Sequence, residues 1–423
     1  MPGPRTGRMT PPHLAQRELV YATPERADEF FAAVVRGFHD DYVAEMWEPH
    51  RKVIEFDRSF GFQVDGRWIS TCGAYSRILT IPGGSVPVAA VTVVTVQPSY
   101  RRRGLLTEMM THQLHDISER GNEPIALLWA SEAAIYGRYG YGQATPQLHL
   151  TGKTKTTAFL PGVDLGTGSV GEVERDEAIP IIKRIHQTLL PDRPGALNRD
   201  DNWWAVRWHD PQAWRRGASA YRFALHYDHR GRPDGYVSFR VKTNWEESES
   251  ASEVIISELD AVAGPGRAAL WRFVLDLDLV RRFSGHGAPV DEPLRYLVHD
   301  LRSVKAELGD GTYARLVDVS GALEARRYLT DVDVIIGVED SLLTHNNGSI
   351  RLEAGPDGAS VTRTRRRPDL IMNVRELSAI YLGGTPLLAL ARAGLIKERT
   401  KGAAQAAAAA FAWSQPPFCS DFF

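Results

Sequence analysis

The 423-residue sequence contains only two cysteines, Cys72 and Cys419. They are far apart and in no metal-ligand spacing, which argues against a disulfide scaffold. A reducing cytoplasm is the expected setting, with secretion by an unconventional route left open. An excess of charge of one sign is also lacking: 50 basic against 52 acidic side chains leave a net charge of -2. Nothing in that balance points to nucleic acid as a partner. Long hydrophobic runs are absent, since no stretch approaches the roughly 18 apolar residues of a membrane span. The opening MPGPRTGRMTPPH is rich in Pro, Gly and Arg and has no apolar core. Residues 1–18 therefore read as a flexible tail rather than a signal peptide.

What is present is a chain long enough, at 43% apolar and 24% charged residues, for two or three hydrophobic cores. Its organising stretch runs from Val91 to Gly142. The segment VTVVTVQPSYRRRGLL is a β-branched run stopped at Pro98, which has no N–H to give a ladder. A basic turn with Gly104 follows, then Leu105, Met109, His112 and Asp116 at helical spacing. A helix N-terminus reached through a glycine turn presents unpaired N–H groups and a favourable dipole to an anion, and Arg101, Arg102 and Arg103 add positive charge. By itself the turn equally fits an ordinary strand–helix unit with a solvated arginine cluster. The second half, PIALLWASEAAIYGRYGYG, adds a buried strand at Ile125–Trp129, a short helix from Ser131 to Tyr136, and a turn marked by Gly137, Gly140 and Gly142.

Together these halves resemble the Gcn5-related N-acetyltransferase (GNAT) superfamily. Within it, RRRGLL and ASEAAIYGRYGYGQAT resemble the enhanced-intracellular-survival (Eis) type of aminoglycoside and amine acetyltransferase. Leu106 stands where glycine or alanine is commoner in the superfamily. The resemblance implies acetyl-CoA as co-substrate and no metal. Val94, Thr95 and Val96 would bind the pantetheine arm. Arg102, Arg103, Gly104, Leu105, Leu106 and Thr107 would surround the pyrophosphate, with Ser131 and Glu132 close to the cofactor. It also implies Tyr136 as general acid to the CoA sulfur and a homohexameric assembly. Trp129 stands where relatives often have a histidine, which removes any proton shuttle by that group and remodels the acceptor pocket.

The rest of the chain reads as α+β throughout. Residues 19–151 form the catalytic domain, beginning with a strand at Leu19 and a helix burying Phe30, Ala33 and Val34. After it, Asp40, Asp41, Tyr42, Glu45 and Trp47 form either a solvated loop or a wall of the acceptor pocket, where carboxylates beside aromatic faces would attract a cationic amine. Asp40 falls where the resembled family carries a substrate-side carboxylate. Asp65-Gly66 marks a hairpin. Residues 152–302 repeat the strand and helix order without an Arg-rich Gly turn, so they read as a degenerate GNAT-like domain. Its Trp203, Trp204, Trp208 and Trp214 are core aromatics or cleft-lining ones. Residues 303–423 show a composition shift, and VDVSGALEARRY resembles the family's sterol-carrier-like third domain, one helix against a small antiparallel sheet. The alanine-rich KGAAQAAAAAFAW reads as a terminal helix.

The last residues, PPFCSDFF, are unusually apolar for a chain end, which is ordinarily frayed. By the same resemblance, the carboxylate of Phe423 would reach the first domain's cleft as general base. An amine must lose its proton before attack and the leaving thiolate must gain one, so direct transfer in a ternary complex follows. No nucleophile in the motif region calls for a covalent intermediate. The expected acceptor is a small cationic amine, an aminoglycoside or a polyamine. A protein lysine and a non-catalytic acyl-CoA or hydrophobic-ligand binder are the alternatives.

Overall fold

The computed structural model describes residues 16–423; most of the proposed flexible tail, residues 1–15, lies outside them. Residues 17 and 18, read as part of that tail, are built into the fold. Arg17 pairs with Glu108, and Glu18 already opens the first strand, Glu18–Tyr21.

Three large sheets organise the described chain, beside a two-stranded one of Trp245–Glu246 and Glu249–Ser250. The first has strands Glu18–Tyr21, Phe60–Val64, Ser70–Ile81, Gly84–Val96, Ile125–Trp129, Thr312–Leu316 and Gly142–Gln143 in spatial order, with Arg67–Trp68 paired on Phe60–Val64. Asp65 and Gly66, both at positive φ, make the hairpin turn. Helix Leu105–Arg120 buries Leu105, Met109, Met110, Leu114 and Ile117 against one face and stops at Gly121, which takes φ 68° as a left-handed cap. Strands 84–96 and 125–129 pair in parallel, with that helix between them in the chain.

The second sheet repeats this unit. Strand Ser252–Ala261 and strand Val280–Ala288 run parallel with helix Gly264–Leu275 between them. Trp203, Trp204 and Trp208 are buried, whereas Trp214 is 37% exposed. Trp203 meets Tyr75 of the first sheet edge-on at 4.9 Å, so part of the tryptophan cluster cements the two domains together.

The third sheet, with strands Val332–Glu339, Gly348–Gly355, Gly358–Thr364, Leu370–Asn373 and Ile396–Glu398, is mixed rather than purely antiparallel. Strands 332–339 and 370–373 run parallel. The alanine-rich segment is helix Ala403–Phe411, whose Ala404, Ala407 and Ala410 are small enough to pack close to the sheet.

The third domain does not begin at 303. Strand Val304–Asp310 pairs with Pro146–Lys153 in the second sheet, and strand Thr312–Leu316 enters the first sheet between 125–129 and 142–143. Alternation marks a strand but not the sheet that receives it. The crossing occurs at Gly311, where a Cβ would lie 2.3 Å from the Thr145 carbonyl oxygen. Only glycine fits there, and Thr145 and Thr312 bond hydroxyl to hydroxyl at 2.8 Å beside it. Arg315 of that strand reaches the third domain through Asp340, its Nη2 donating to both carboxylate oxygens at 2.8 Å, with both side chains buried.

Candidate active site

Strands 84–96 and 125–129 are paired only from Val88↔Ile125 to Val91↔Leu128. Beyond that point strand 84–96 runs on for five residues with no partner on this edge, so a wedge opens between the two. Its far edge remains paired, Thr71↔Thr95 and Ser70↔Val96. The turn-out is caused by a bulge: three steps on strand 84–96 oppose two on strand 70–81, and Val93 takes φ 49°, rare for a β-branched residue. The hydroxyl of Thr71 donates to the Val93 carbonyl at 2.7 Å and holds the bulge. The edge of Val94, Thr95 and Val96 that faces away from strand 70–81 could receive an extended, amide-bearing ligand such as a pantetheine arm, although the Val96 carbonyl already accepts from Arg101.

The loop after the wedge fits a diphosphate. Gly104 has φ 86° and leads into helix 105–120, whose first turn carries no side-chain cap. A Cβ at Gly104 would meet nothing closer than the Glu108 carboxylate at 3.8 Å, so space lies in front of the N–H groups of Leu105, Leu106 and Thr107. Arg102, at φ 61°, is exposed. Arg103 lies 5.9 Å from the Tyr100 ring centre. Arg101 serves the loop itself: its guanidinium donates to the carbonyls of Val96 at 3.0 Å and Gly37 at 2.9 Å. The Thr107 hydroxyl is 3.1 Å from that of Tyr139.

Tyr136 ends the short helix Ala133–Tyr136 and is buried among Val91, Met110, Leu128 and Tyr141. Burial pushes its phenol up to about 12, and a hydrogen bond from Ser131 pulls in the other direction. At neutral pH it holds its proton. Ser131 and Glu132 are exposed where the short helix starts. Burial also pushes the thiols of Cys72 and Cys419 up, so neither is poised as a thiolate nucleophile.

The chain end reaches this region. The indole Nε1 of Trp129, the last residue of its strand, donates to the main-chain carbonyl of Asp421 at 2.8 Å, and its ring lies 5.6 Å from that of Phe422. Phe423 is buried in the same apolar cluster as Tyr75, Leu127 and Trp203, while Phe422 is 77% exposed. Along strand 125–129, Ile125 and Leu127 belong to that cluster and Trp129 packs against it. Ala126 and Leu128 face the cluster of Tyr136. The tail and Tyr136 thus lie on opposite faces of one strand.

Asp40 is exposed, its carboxylate accepting from the Asp41 N–H at 2.9 Å. It follows by three residues Gly37, at which a Cβ would lie 2.5 Å from Thr95 of the wedge strand. Its aromatic neighbour Trp47 stacks on Phe31 at 4.7 Å and serves packing. A cleft of about 750 Å³ instead opens where Trp129 and Phe422 meet Glu258, Asp260 and Trp271 of the second domain. Asp40 and Trp129 are not brought to this cleft together.

Sequence reasoning missed the group that holds the tail. Arg199, fully buried, donates through Nε to Asp421 at 2.9 Å and through Nη2 to Glu258 at 3.0 Å and to the Ser420 hydroxyl at 2.8 Å. Arg77 lies 3.7 Å from the same Asp421 carboxylate. Arginine outweighs the effect of burial on both acids: burial would raise Glu258, yet Arg199 and Arg207 hold it at about 2, and Asp421 is likewise held below the usual carboxylate range by Arg199 and Arg77. These residues come from four separate parts of the chain, and no local spacing announces them.

Comparison with known proteins agrees with this architecture. Family models described as acetyltransferase (GNAT) domains match residues 18–144 and 195–316, and one described as a sterol carrier protein domain matches 319–420. An uncharacterized N-acetyltransferase of Streptomyces avermitilis is 40% identical over 380 residues, covering 88% of this chain and 90% of that protein. The N-acetyltransferase Eis of Mycobacterium tuberculosis is 33% identical over 343 residues, 80% of this chain and 81% of Eis. The crystal structure of Eis1 from Mycobacterium abscessus superposes with a TM-score of 0.81 at 32% identity, covering 96% of this chain and all of that one (100%). A GCN5-related N-acetyltransferase from Anabaena variabilis, 20% identical with a TM-score of 0.81 over 96% of this chain and 100% of its own, shares the fold.

Proposed function

Since the chain belongs to the Eis-type N-acetyltransferases of the GNAT superfamily, we propose that it acetylates a primary amine of a small cationic molecule, an aminoglycoside or polyamine, by direct transfer in a ternary complex. Bound acetyl-CoA would supply the activated acetyl thioester. The free edge of Val94, Thr95 and Val96 would hold its pantetheine arm. The uncapped turn of Gly104, Leu105, Leu106 and Thr107, flanked by Arg102 and Arg103, would hold its diphosphate, with Ser131 and Glu132 nearby.

The observation that carries this reading is the arrangement about strand 125–129, with Tyr136 on one face and the docked chain end on the other. The terminal carboxylate of Phe423 would accept the amine proton, directly or through water. The Tyr136 phenol, kept protonated by burial, would donate to the departing sulfur. Acid and base on opposite sides of the wedge can act on the two ends of one transfer without neutralising each other. Trp129 and Phe422 would form an aromatic wall for the acceptor, and Asp40 would add a carboxylate. A homohexamer is carried over from the family resemblance, and the two buried free thiols fit a cytoplasmic setting.

Thiol release from acetyl-CoA, measured with polyamines, aminoglycosides and a lysine peptide, tests the proposal. The intact chain should turn over the small cations, and both Tyr136→Phe and deletion of Phe423 should abolish most of that turnover while acetyl-CoA still binds. Turnover indifferent to both changes would move the proton chemistry elsewhere. Sedimentation equilibrium that finds only monomer would remove the hexamer.

A further inference from the structure

We infer that Arg199 is a positioning residue through which the second, cofactor-less domain fixes the catalytic register of the chain end. This rests on the reading of the Phe423 carboxylate as the base.

The second domain has the same wedge as the first. Its parallel strands are paired from Ser252↔Val280 only to Ile256↔Gly285, and strand 252–261 then runs on with no partner on this edge while its other edge stays paired with Pro233–Lys242. In the first domain the corresponding stretch leads into an arginine-flanked glycine turn. Here it carries Glu258 and Asp260, and the following helix has a proline in its first turn, which removes an N–H donor. A diphosphate would meet carboxylates where the first domain offers amides and guanidinium groups.

The wedge is put to a different use. Glu258 anchors Arg199, and Arg199 in turn grips Asp421 and Ser420. Arg207 stands 3.1 Å from Glu258 on the other side. Two neighbouring contacts fix the approach of the tail: Arg193 donates to the Pro416 carbonyl at 2.9 Å, and the Phe418 N–H donates to the Pro194 carbonyl at 2.8 Å. From the first domain, Arg77 and Trp129 hold Asp421 by its carboxylate and its carbonyl. These polar contacts fall on residues 416–421; beyond them Phe422 lies against the Trp129 ring and Phe423 packs in the apolar cluster, so the clamp sets where the last two residues lie. A chain end otherwise frays, and a reacting group misplaced by about 1 Å costs roughly 100-fold in rate. Asp421 is the linchpin on the tail side. Removing its charge leaves Arg199 with Glu258 as its remaining carboxylate partner and takes from Arg77 its ion pair.

Asp421→Asn, Ser420→Ala and Arg199→Lys, compared with the intact enzyme, test the inference through two readouts. The first is the rate at which a carboxypeptidase releases the terminal phenylalanines, and the second is kcat and KM for acetyl-CoA and for a polyamine. Asp421→Asn should speed release of Phe423 at least tenfold and lower kcat by about 10- to 100-fold, with KM for acetyl-CoA within about twofold because the first wedge is untouched. Arg199→Lys, which keeps a charge but loses the fork, should fall between Asp421→Asn and the intact chain. Ser420→Ala, least disruptive to folding, should show a smaller change in the same direction in both readouts. Release unchanged in all three variants overturns the clamp. Release accelerated with kcat unaltered overturns its link to catalysis. If deletion of Phe423 alone also leaves kcat unaltered, the base assignment has failed rather than the docking.

Discussion

Trp129 and Asp421 are joined by a 2.8 Å hydrogen bond across 292 positions of sequence, indole N–H to main-chain carbonyl. The bond ties the last residue of the cofactor-side strand to the tail that would supply the base. Replacing Trp129 with Phe keeps an aromatic ring against Phe422 but removes the donor. The loss should cost about 1 kcal/mol of stability, read as a shift in the urea midpoint. kcat should fall by less than on deletion of Phe423, since the Asp421 carboxylate keeps its arginine partners. An equal fall in the two variants would mean that Trp129 itself takes part in the chemistry.

Tyr136→Phe isolates the proposed acid. Its phenol is buried and held up at about 12 by that burial, so it stays a proton donor across the whole range in which the protein would work. Removing it should lower kcat by about 100- to 10,000-fold, the usual contribution of a positioned acid. Acetyl-CoA affinity, read by calorimetry, should be preserved because the wedge edge and the glycine turn do not depend on the hydroxyl.

Much of this site was legible in the sequence because its parts are local. Pro98, Gly104 and the apolar spacing of Leu105 and Met109 specify a strand end, a turn and a helix within a single short stretch. The two features that escaped are long-range. Strand 312–316 reads as a strand from its alternation, but which sheet receives it depends on the fit of Gly311 against Thr145. The tail clamp joins Arg77, Arg199, Glu258 and Asp421, each of which looks like an ordinary surface charge until folding buries all four. Leu106, which departs from the commoner glycine or alanine, keeps the helix start intact: it packs partly buried between two apolar clusters, and only its N–H is needed at the turn.

Because Arg315 enters the first sheet and its partner Asp340 belongs to the third domain, that pair is a sensitive point of the assembly. Both side chains are buried, and Asp340 also accepts from Asn346 at 2.9 Å and from the Leu342 and Leu343 N–H groups at 3.1 and 3.0 Å. Asp340→Ala strands a buried guanidinium and should destabilise the chain by about 3–5 kcal/mol. Replacing both partners with apolar residues of similar size should recover much of that loss in thermal melting. A single mutant that melts like the intact protein would show that water reaches the site.

Acid stability follows from the clamp that holds the tail. Glu258 sits at about 2 in the folded chain against an ordinary value of 4.5, because Arg199 and Arg207 outweigh its burial. Its stabilisation is therefore fully present above about pH 4.5 and is lost as pH falls toward 2, an effect on the order of 3 kcal/mol. His186 adds an earlier loss. Burial holds it at about 4 against 6.5, so between pH 6.5 and 4 the unfolded chain takes up a proton that the folded chain refuses. Urea midpoints measured from pH 7 to 3 should decline in two stages, the first reduced by His186→Phe, with His50, likewise held at about 4 by burial, supplying the rest, and the second reduced by Glu258→Gln. Since Glu258 anchors Arg199 and Arg199 anchors Asp421, carboxypeptidase release of Phe423 should accelerate in the second stage and not in the first. Release that tracks the histidine stage instead would place control of the tail at His186, on the helix beside Trp204, rather than at the carboxylate clamp.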